Sequence, residues 1–415
     1  MMTLRTLPRL LLPLAAAFLL GLPPGAAADM PSQAPGQRFE IDPAKLPAPY
    51  ATDSVANSAD LIDRPSPPPF QLPPGFSVNE FAGGLTNPRW MAVAPNGNVF
   101  LTLPRLGQVL LLRDKDGDGK ADLKTVFAAG FQRPHGLAVQ EGYLYVAGTD
   151  GLWRVKLGNG DRADGRPEMV TRPNAFGAGV LHWTRNVAFA PDGKRFFIAI
   201  GSLSNIGEDP LPHATVQSFA ADGSDQKTFA AGLRNPVGIA FYPGTNDLYT
   251  VVNERDGLGD GLVPDYLTRL QEGGFYGWPY AYIGHHPQPD FPSRPDMMAK
   301  TLLPDLLFQS HSAPLGLVFY DGKMFPPEYQ GDAFVALHGS WNASEPTGYK
   351  VVRVPYKDGR PQGYYENFLT GFWLEGQSPA QVWGRPAGLA VAGDGSLLIA
   401  DDAGGVVWRV SYRKP

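Results

Sequence analysis

The chain is predicted to be all-β, folded as a six-bladed β-propeller with long loops on one face. Six stretches repeat one phrase: Asn87–Gly97, Arg133–Val139, Arg185–Gly193, Arg234–Phe241, Ala313–Phe319 and Arg385–Val391. Most run on through a turn into a second apolar strand, such as Asn98–Thr102, Tyr143–Val146 or Leu397–Ala400. The 49 glycines and 42 prolines supply the closely spaced turns of such an array. No long stretch carries the 3.6-residue apolar period of a helical domain.

Taken in order, residues 1–28 are expected to be a secretory signal. Arg5 and Arg9 precede the apolar run Leu10–Leu20, and Ala26-Ala-Ala28 offers a small-residue cleavage site. The apolar run is short for a membrane span. The mature chain is therefore expected to be periplasmic or secreted, with no span left after cleavage. Residues 29–69, with Pro65-Ser-Pro-Pro-Pro69, read as an extended arm or linker. Removal of 29–65 is expected to be tolerated. Residues 70–415 form the propeller domain. Its first strand, Phe76–Phe81, is expected to pair with the C-terminal strand Val406–Tyr412, because an unclosed propeller exposes an edge. Insertions around 253–312 and 339–384 are long for a compact fold, so function is expected there.

Composition removes several classes of activity. The net charge of −5, without a dense Lys/Arg run, argues against a nucleic-acid partner. The absence of cysteine excludes disulfides, a thiolate nucleophile, an iron–sulfur cluster and a covalently attached c-type haem. No Gly-x-Gly-x-x-Gly follows a strand and opens a helix, so a nicotinamide dinucleotide is not expected.

Four constellations carry chemistry. Arg89, His135, His182, Arg185, Arg234, Asn235 and Arg385 lie near the phrase starts. His311 stands just before the fifth phrase and His338 closes its strand. Radial geometry brings these groups to one mouth of the channel. Several cations there repel one another unless an anion lies among them. Arginine suits carboxylates or phosphates in particular. The alternative is that the arginines pair with acids and staple the blades. The second constellation is His182, three residues before Arg185. A neutral imidazole beside cations is free to accept a proton; the other reading is a structural histidine. The third is the loop Asn253–Tyr266, followed by Gly274–Tyr280. Glu254, Asp256, Asp260, Asp265 and Tyr276 are its candidate Ca²⁺ ligands. An ordinary Asp-Gly turn is the alternative. The fourth places Asp114, Asp116, Asp118 and Asp122 as in the start of a Ca²⁺ loop that lacks its closing Glu. It reads as a surface Ca²⁺ site or a solvated turn. Trp183, Trp341 and Trp373 are large rings that either stack on a ligand or pack in the core.

These residues carry a resemblance. His182-Trp-Thr-Arg-Asn186, Gly232-Leu-Arg-Asn-Pro236, Asn253-Glu-Arg-Asp256 with Asp265-Tyr266, Phe275-Tyr-Gly-Trp-Pro279 and His338-Gly-Ser-Trp-Asn342 occur in order, each attached to its own blade. The set resembles the soluble quinoprotein sugar dehydrogenases of the glucose/sorbosone dehydrogenase family, closest to the sorbosone dehydrogenase-like branch, over residues 70–412. The resemblance implies pyrroloquinoline quinone (PQQ) with Ca²⁺ at the channel mouth. It implies oxidation of a sugar or sugar aldehyde by hydride transfer, with electrons passed to an external cytochrome or quinone. By family pattern His182 matches the general base, and Arg234 and Asn235 match the pair that polarises the quinone oxygens. Arg385 matches a carboxylate-binding arginine, and His135 falls near a cofactor-lining position. His338 stands where glucose-oxidising relatives place a lysine. Loop 253–266 matches the calcium loop, with a different length. A Ca²⁺-dependent lactonase on the same architecture and a non-enzymatic binding propeller are the other readings.

Overall fold

The structure is a computed structural model that describes residues 33–179 and 181–414. The expected signal segment lies outside the described residues. The second strand after most phrases is a continuous apolar run because both of its faces are covered. Val99–Leu103, Ala333–Leu337 and Leu397–Asp401 are buried at every position. Such a strand needs a sheet on either side, and the architecture supplies it. The chain is all-β, with almost no helix beyond Pro295–Met298 among the described residues.

Among the described residues, six sheets of four or five strands follow one another along the chain, and each is entered through one phrase. Their innermost strands are Met91–Val93, Gly136–Gln140, Arg185–Phe189, Asn235–Phe241, Pro314–Phe319 and Pro386–Val391. In each sheet that strand pairs antiparallel with the second strand of its phrase. Each innermost strand touches the next, and Pro386–Val391 returns to Met91–Val93, so the ring closes. The closing sheet is composite. Phe76–Ala82 pairs antiparallel with Val406–Tyr412, from Phe76 opposite Tyr412 to Ala82 opposite Val407. An edge strand from one terminus is thus covered by the other.

Glycine sets how near the inner strands come. Gly136, Gly238, Gly316 and Gly388 occupy the same place in four phrases. A Cβ on Gly388 would stand 2.2 Å from the Arg89 carbonyl oxygen, and one on Gly316 would stand 2.4 Å from that of Ala387. On Gly238 it would meet the Leu315 carbonyl oxygen at 2.6 Å. The missing side chain lets one backbone press on the next around the axis. The hydrophobic clusters lie between neighbouring sheets, as where Tyr249, Val251 and Leu267 pack on Leu317, Val335 and Val352.

Residues 33–69 are extended, but they are not a free linker. Arg38–Phe39 adds a strand to the fifth sheet against Tyr365–Glu366. Asp60–Leu61 pairs in parallel with Gln381–Val382. Ile41 and Leu46 pack on the core between the third and fourth sheets. Of the two expectations for this segment, extended arm or linker, the strand pairing fits the arm.

Gly388→Ala tests the packing around the axis. Its Cβ would meet backbone that cannot swing aside, so the unfolding free energy should drop by about 1–3 kcal/mol. Chemical denaturation with an unchanged slope would check it.

Candidate active site

The loops that enter the inner strands and those that leave the second strands meet at one end of the ring. They enclose a pocket of about 560 Å³. Arg89, His182, Arg234, Asn235, His311, His338 and Arg385 all line it. So do Glu254, Asp256 and Asp265 from the acidic loop. Ten of the sequence-predicted residues therefore converge, although they span the chain from the first phrase to the sixth.

Several guanidinium groups are held by neutral carbonyls. Arg234 donates from Nη1 to the Glu254 carbonyl at 2.7 Å and from Nε to that of Asn205 at 3.1 Å. Its Nη2 meets the Asn205 amide oxygen at 2.9 Å and Asp256 at 3.4 Å. Arg385 donates to the carbonyls of His338 and Gly339 at 3.0 and 2.9 Å. Carbonyls orient a guanidinium without cancelling its charge. Burial pushes both arginines below their ordinary pKa. Arg89 has a carboxylate, Asp402, at 2.5 Å, yet its Nε has no protein partner. Asp402 also accepts from His338 Nε2 at 2.9 Å. Burial, then Arg385, holds His338 near 4 and so neutral.

His182 has a defined tautomer. Nδ1 lies 2.9 Å from the Ser202 carbonyl and 3.0 Å from the Ser202 hydroxyl oxygen. That hydroxyl donates its own proton to the Ser204 carbonyl at 2.6 Å. Both neighbours of Nδ1 are therefore acceptors, so Nδ1 carries the hydrogen and Nε2 keeps a lone pair. Burial, then the Arg234 charge, lowers the imidazole to about 3.

The acidic loop is less open to a cation than the sequence implies. Asp265 accepts the backbone N–H groups of Glu254 and Ala313, both at 2.8 Å. Asp256 lies between Arg234 and His311. Burial opposes a charge on His311, but hydrogen bonds to Asp256 and the Gly259 carbonyl outweigh it and raise its pKa. Burial pushes Glu254 up to about 8 and Asp265 to about 7.

Other expected residues stand elsewhere. Asp260 binds Ser344, and the Tyr276 hydroxyl donates to the Arg269 carbonyl at 2.6 Å. Neither lines the pocket, because each satisfies a local loop bond instead. Arg185 is buried below it and donates to the carbonyls of His182 and Thr184 at 2.8 and 2.9 Å. It supports the loop that carries His182 rather than facing a ligand. His135 is buried between the rings of Trp90 and Trp183, at 5.1 and 5.5 Å, with neither ring nitrogen hydrogen-bonded. Trp183 is taken by Arg89 and Arg133, and Trp373 is buried, donating to the Glu375 and Gly376 carbonyls. On the far surface Asp114, Asp116 and Asp122 form the one group of close carboxylates among the described residues, and Asp118 stands outside it. Backbone N–H groups of Lys115, Gly117 and Gly119 already occupy Asp114 and Asp122.

Sequence reasoning missed Asn205, Asn253, Asp402 and the role of Gly339. Each lies at or just beyond the end of a second strand. The polar residues that close those strands face the same mouth as those that open the phrases, and that signal was available.

A TrAA12-like family model matches residues 70–263 and 296–413. The chain belongs to the TrAA12-like family. A Glucose / Sorbosone dehydrogenase model also matches residues 199–340, as the resemblance implied. A pyrroloquinoline quinone-dependent pyranose dehydrogenase from Coprinopsis cinerea is 26% identical over 81% of this chain. The chain spans only 54% of that relative's length. A Borreliella burgdorferi protein described only as uncharacterized is 28% identical, over 83% of this chain and 91% of its own. The holo form of the pyranose dehydrogenase PQQ domain from Coprinopsis cinerea superposes with a TM-score of 0.71 at 21% identity. That likeness covers 86% of this chain and all of that one. No helix among the described residues is long and apolar enough to cross a membrane.

The buried histidines give a pH prediction. His135 is held well below its ordinary pKa, by burial first and then by Arg89. The unfolded chain protonates this ring first, so its contribution is present above about pH 6.5 and is lost as pH falls below that. In His135→Leu, one pH unit of acidification in that lower range should cost about 1.4 kcal/mol less than in the parent. Denaturant unfolding at stepped pH would show it.

Proposed function

We propose that this chain is an extracytoplasmic quinoprotein that oxidises a pyranose or related sugar aldehyde on a six-bladed propeller, and that it passes the electrons to a separate acceptor. The observation that carries the reading is the pairing of a cationic pocket with a fixed, neutral His182. The family membership and the quinone-dependent relative supply the chemistry. PQQ is a tricarboxylate, and the donor set fits it. Arg234 and Arg385 are charged groups with chiefly neutral partners, and Arg89 Nε is an unpaired donor. Arg89, Arg234, Asn235 and Arg385 would hold it, with His338 and His311 at its border.

The five positions expected for Ca²⁺ do not fit that ion as a set. Asp260 and Tyr276 are outside the pocket, and Asp256 is committed to Arg234 and His311. No step is derived through a metal at these residues.

When bound, the quinone supplies the acceptor for a hydride. The chain's own residues do the rest. His182 Nε2 takes the proton of the sugar hydroxyl, while Nδ1–H stays on Ser202 and keeps the ring in place. An anion in the pocket offsets the Arg234 charge, which raises the basicity of His182 from its value without a ligand. Arg234, through its charge, and Asn235, through its amide, would stabilise the charge that develops on the acceptor. Arg185 holds the His182 loop from below.

Reconstitution with PQQ, followed by the bound quinone spectrum and dye reduction by aldoses, tests the reading. His182→Gln should keep PQQ bound while turnover falls by about 10²–10⁴-fold. The loss should lie in reduction of the cofactor by sugar, with reoxidation by dye little changed. A variant that reduces its cofactor at the parent rate would show His182 to be structural.

A further inference from the structure

The segment 33–69 lies outside both matched spans of the chain, yet it is bonded to the wall of the pocket. Two loops form that wall. One carries Glu254 and Asp256, and the other carries Gly339 and Trp341. On the first loop, the Tyr50 N–H donates to the Leu258 carbonyl at 2.9 Å, and the Asp260 N–H donates to Thr52 Oγ1 at 2.8 Å. The contact is close. A Cβ on Gly259 would stand 2.6 Å from the Thr52 carbonyl oxygen, and one on Gly261 would stand 2.7 Å from the Pro47 ring.

On the second loop the bonds centre on Asn57, the buried residue of an otherwise exposed stretch. Its N–H donates to the Trp341 carbonyl at 2.7 Å. Its amide nitrogen lies 3.0 Å from the Ala343 carbonyl, 3.2 Å from that of Ser344 and 2.8 Å from that of Gln377. Asn342 donates back to the Val55 carbonyl at 2.6 Å and accepts from the Gly257 N–H at 3.0 Å. Arm and loops are therefore one hydrogen-bonded unit. Its product is Trp341, an indole 48% exposed at the mouth. A large exposed ring on bonded backbone beside a polar pocket is the arrangement that stacks on a sugar face. Trp183 and Trp373 are already engaged elsewhere.

We propose that the arm is a strap for the pocket wall, in which Asn57 is a positioning residue that sets Trp341 as the stacking surface for a pyranose ring. The sugar part of this rests on the function proposed above; the strap itself does not. Ordering these loops in advance lowers the entropic cost of binding substrate. It also explains why the arm is paired at both ends, at Arg38–Phe39 and Asp60–Leu61.

Asn57→Ala in the full chain tests it, with Asn57→Asp as a second variant of nearly the same shape whose carboxylate cannot donate to the three carbonyls. Amide hydrogen exchange reads the strap without any activity. Exchange should quicken in 253–261 and 339–345 and stay unchanged in the six sheets. Quickening confined to 50–60 would overturn the strap. Kinetics with bound PQQ and the aldopyranose that the parent oxidises fastest read the substrate surface. KM should rise about five- to tenfold, with kcat and PQQ affinity within about twofold of the parent. Trp341→Ala should raise KM at least as much. Faster exchange with unchanged KM would overturn the stacking role. A parent that binds PQQ but oxidises no aldopyranose would overturn the proposed function, and exchange would still decide the strap.

Discussion

Everything at the pocket follows from six strands pressed against one axis. Backbones that approach within reach of each other's Cβ positions leave no room for side chains at the centre, which is why Gly136, Gly238, Gly316 and Gly388 stand there. The residues one to four positions earlier in each phrase are then forced to a single end of the ring. Arg89, Arg234 and Arg385 are far apart in the chain, but closure of the ring places them around one space. A single composite sheet, Phe76–Ala82 on Val406–Tyr412, holds that closure.

Crowding cations in a buried site has a cost, and the chain meets it in two ways. Asp402 serves Arg89 and His338 together, and Asp256 serves Arg234 and His311. Elsewhere carbonyls at the ends of strands accept from the guanidinium groups, which fixes direction while leaving charge. The nearby histidines respond by staying neutral: His182, His338 and His135 are all pushed down by burial and arginine. The result is a pocket that attracts an anion and contains an imidazole able to take a proton. Neither property belongs to one residue.

Much of this was legible in the sequence. The phrase repeat identified all six inner strands, and the continuous apolar runs after most phrases identified second strands covered on both faces. Ring closure followed from the need to cover an edge. The pocket cations were legible because each opens a phrase or closes its strand. What failed was depth and direction. Arg185 and His135 sit at phrase starts like Arg89, yet their side chains turn beneath the pocket, to the His182 loop and between two indoles. Asp260 and Tyr276 are near the acid loop in sequence, but loop curvature sends them to Ser344 and Arg269. Proline content marked 29–69 as extended but could not show that an extended chain would be paired at Arg38–Phe39 and Asp60–Leu61.

The two readings of an arginine ring, staple or anion site, turn out not to exclude each other. A guanidinium has five donors. Arg234 spends all five, two on Asn205 and one each on Asn253, Glu254 and Asp256, and still lines the pocket with its charge. A lysine would have neither the fork to bridge two loops nor the planar edge to meet a carboxylate. The same side chain thus fixes the loop beside His182 and adds its positive field to the burial that keeps His182 unprotonated. On the function proposed above, an anion that offsets this field would make the imidazole more basic. Cofactor binding and base strength would, on that same proposal, be coupled through Arg234.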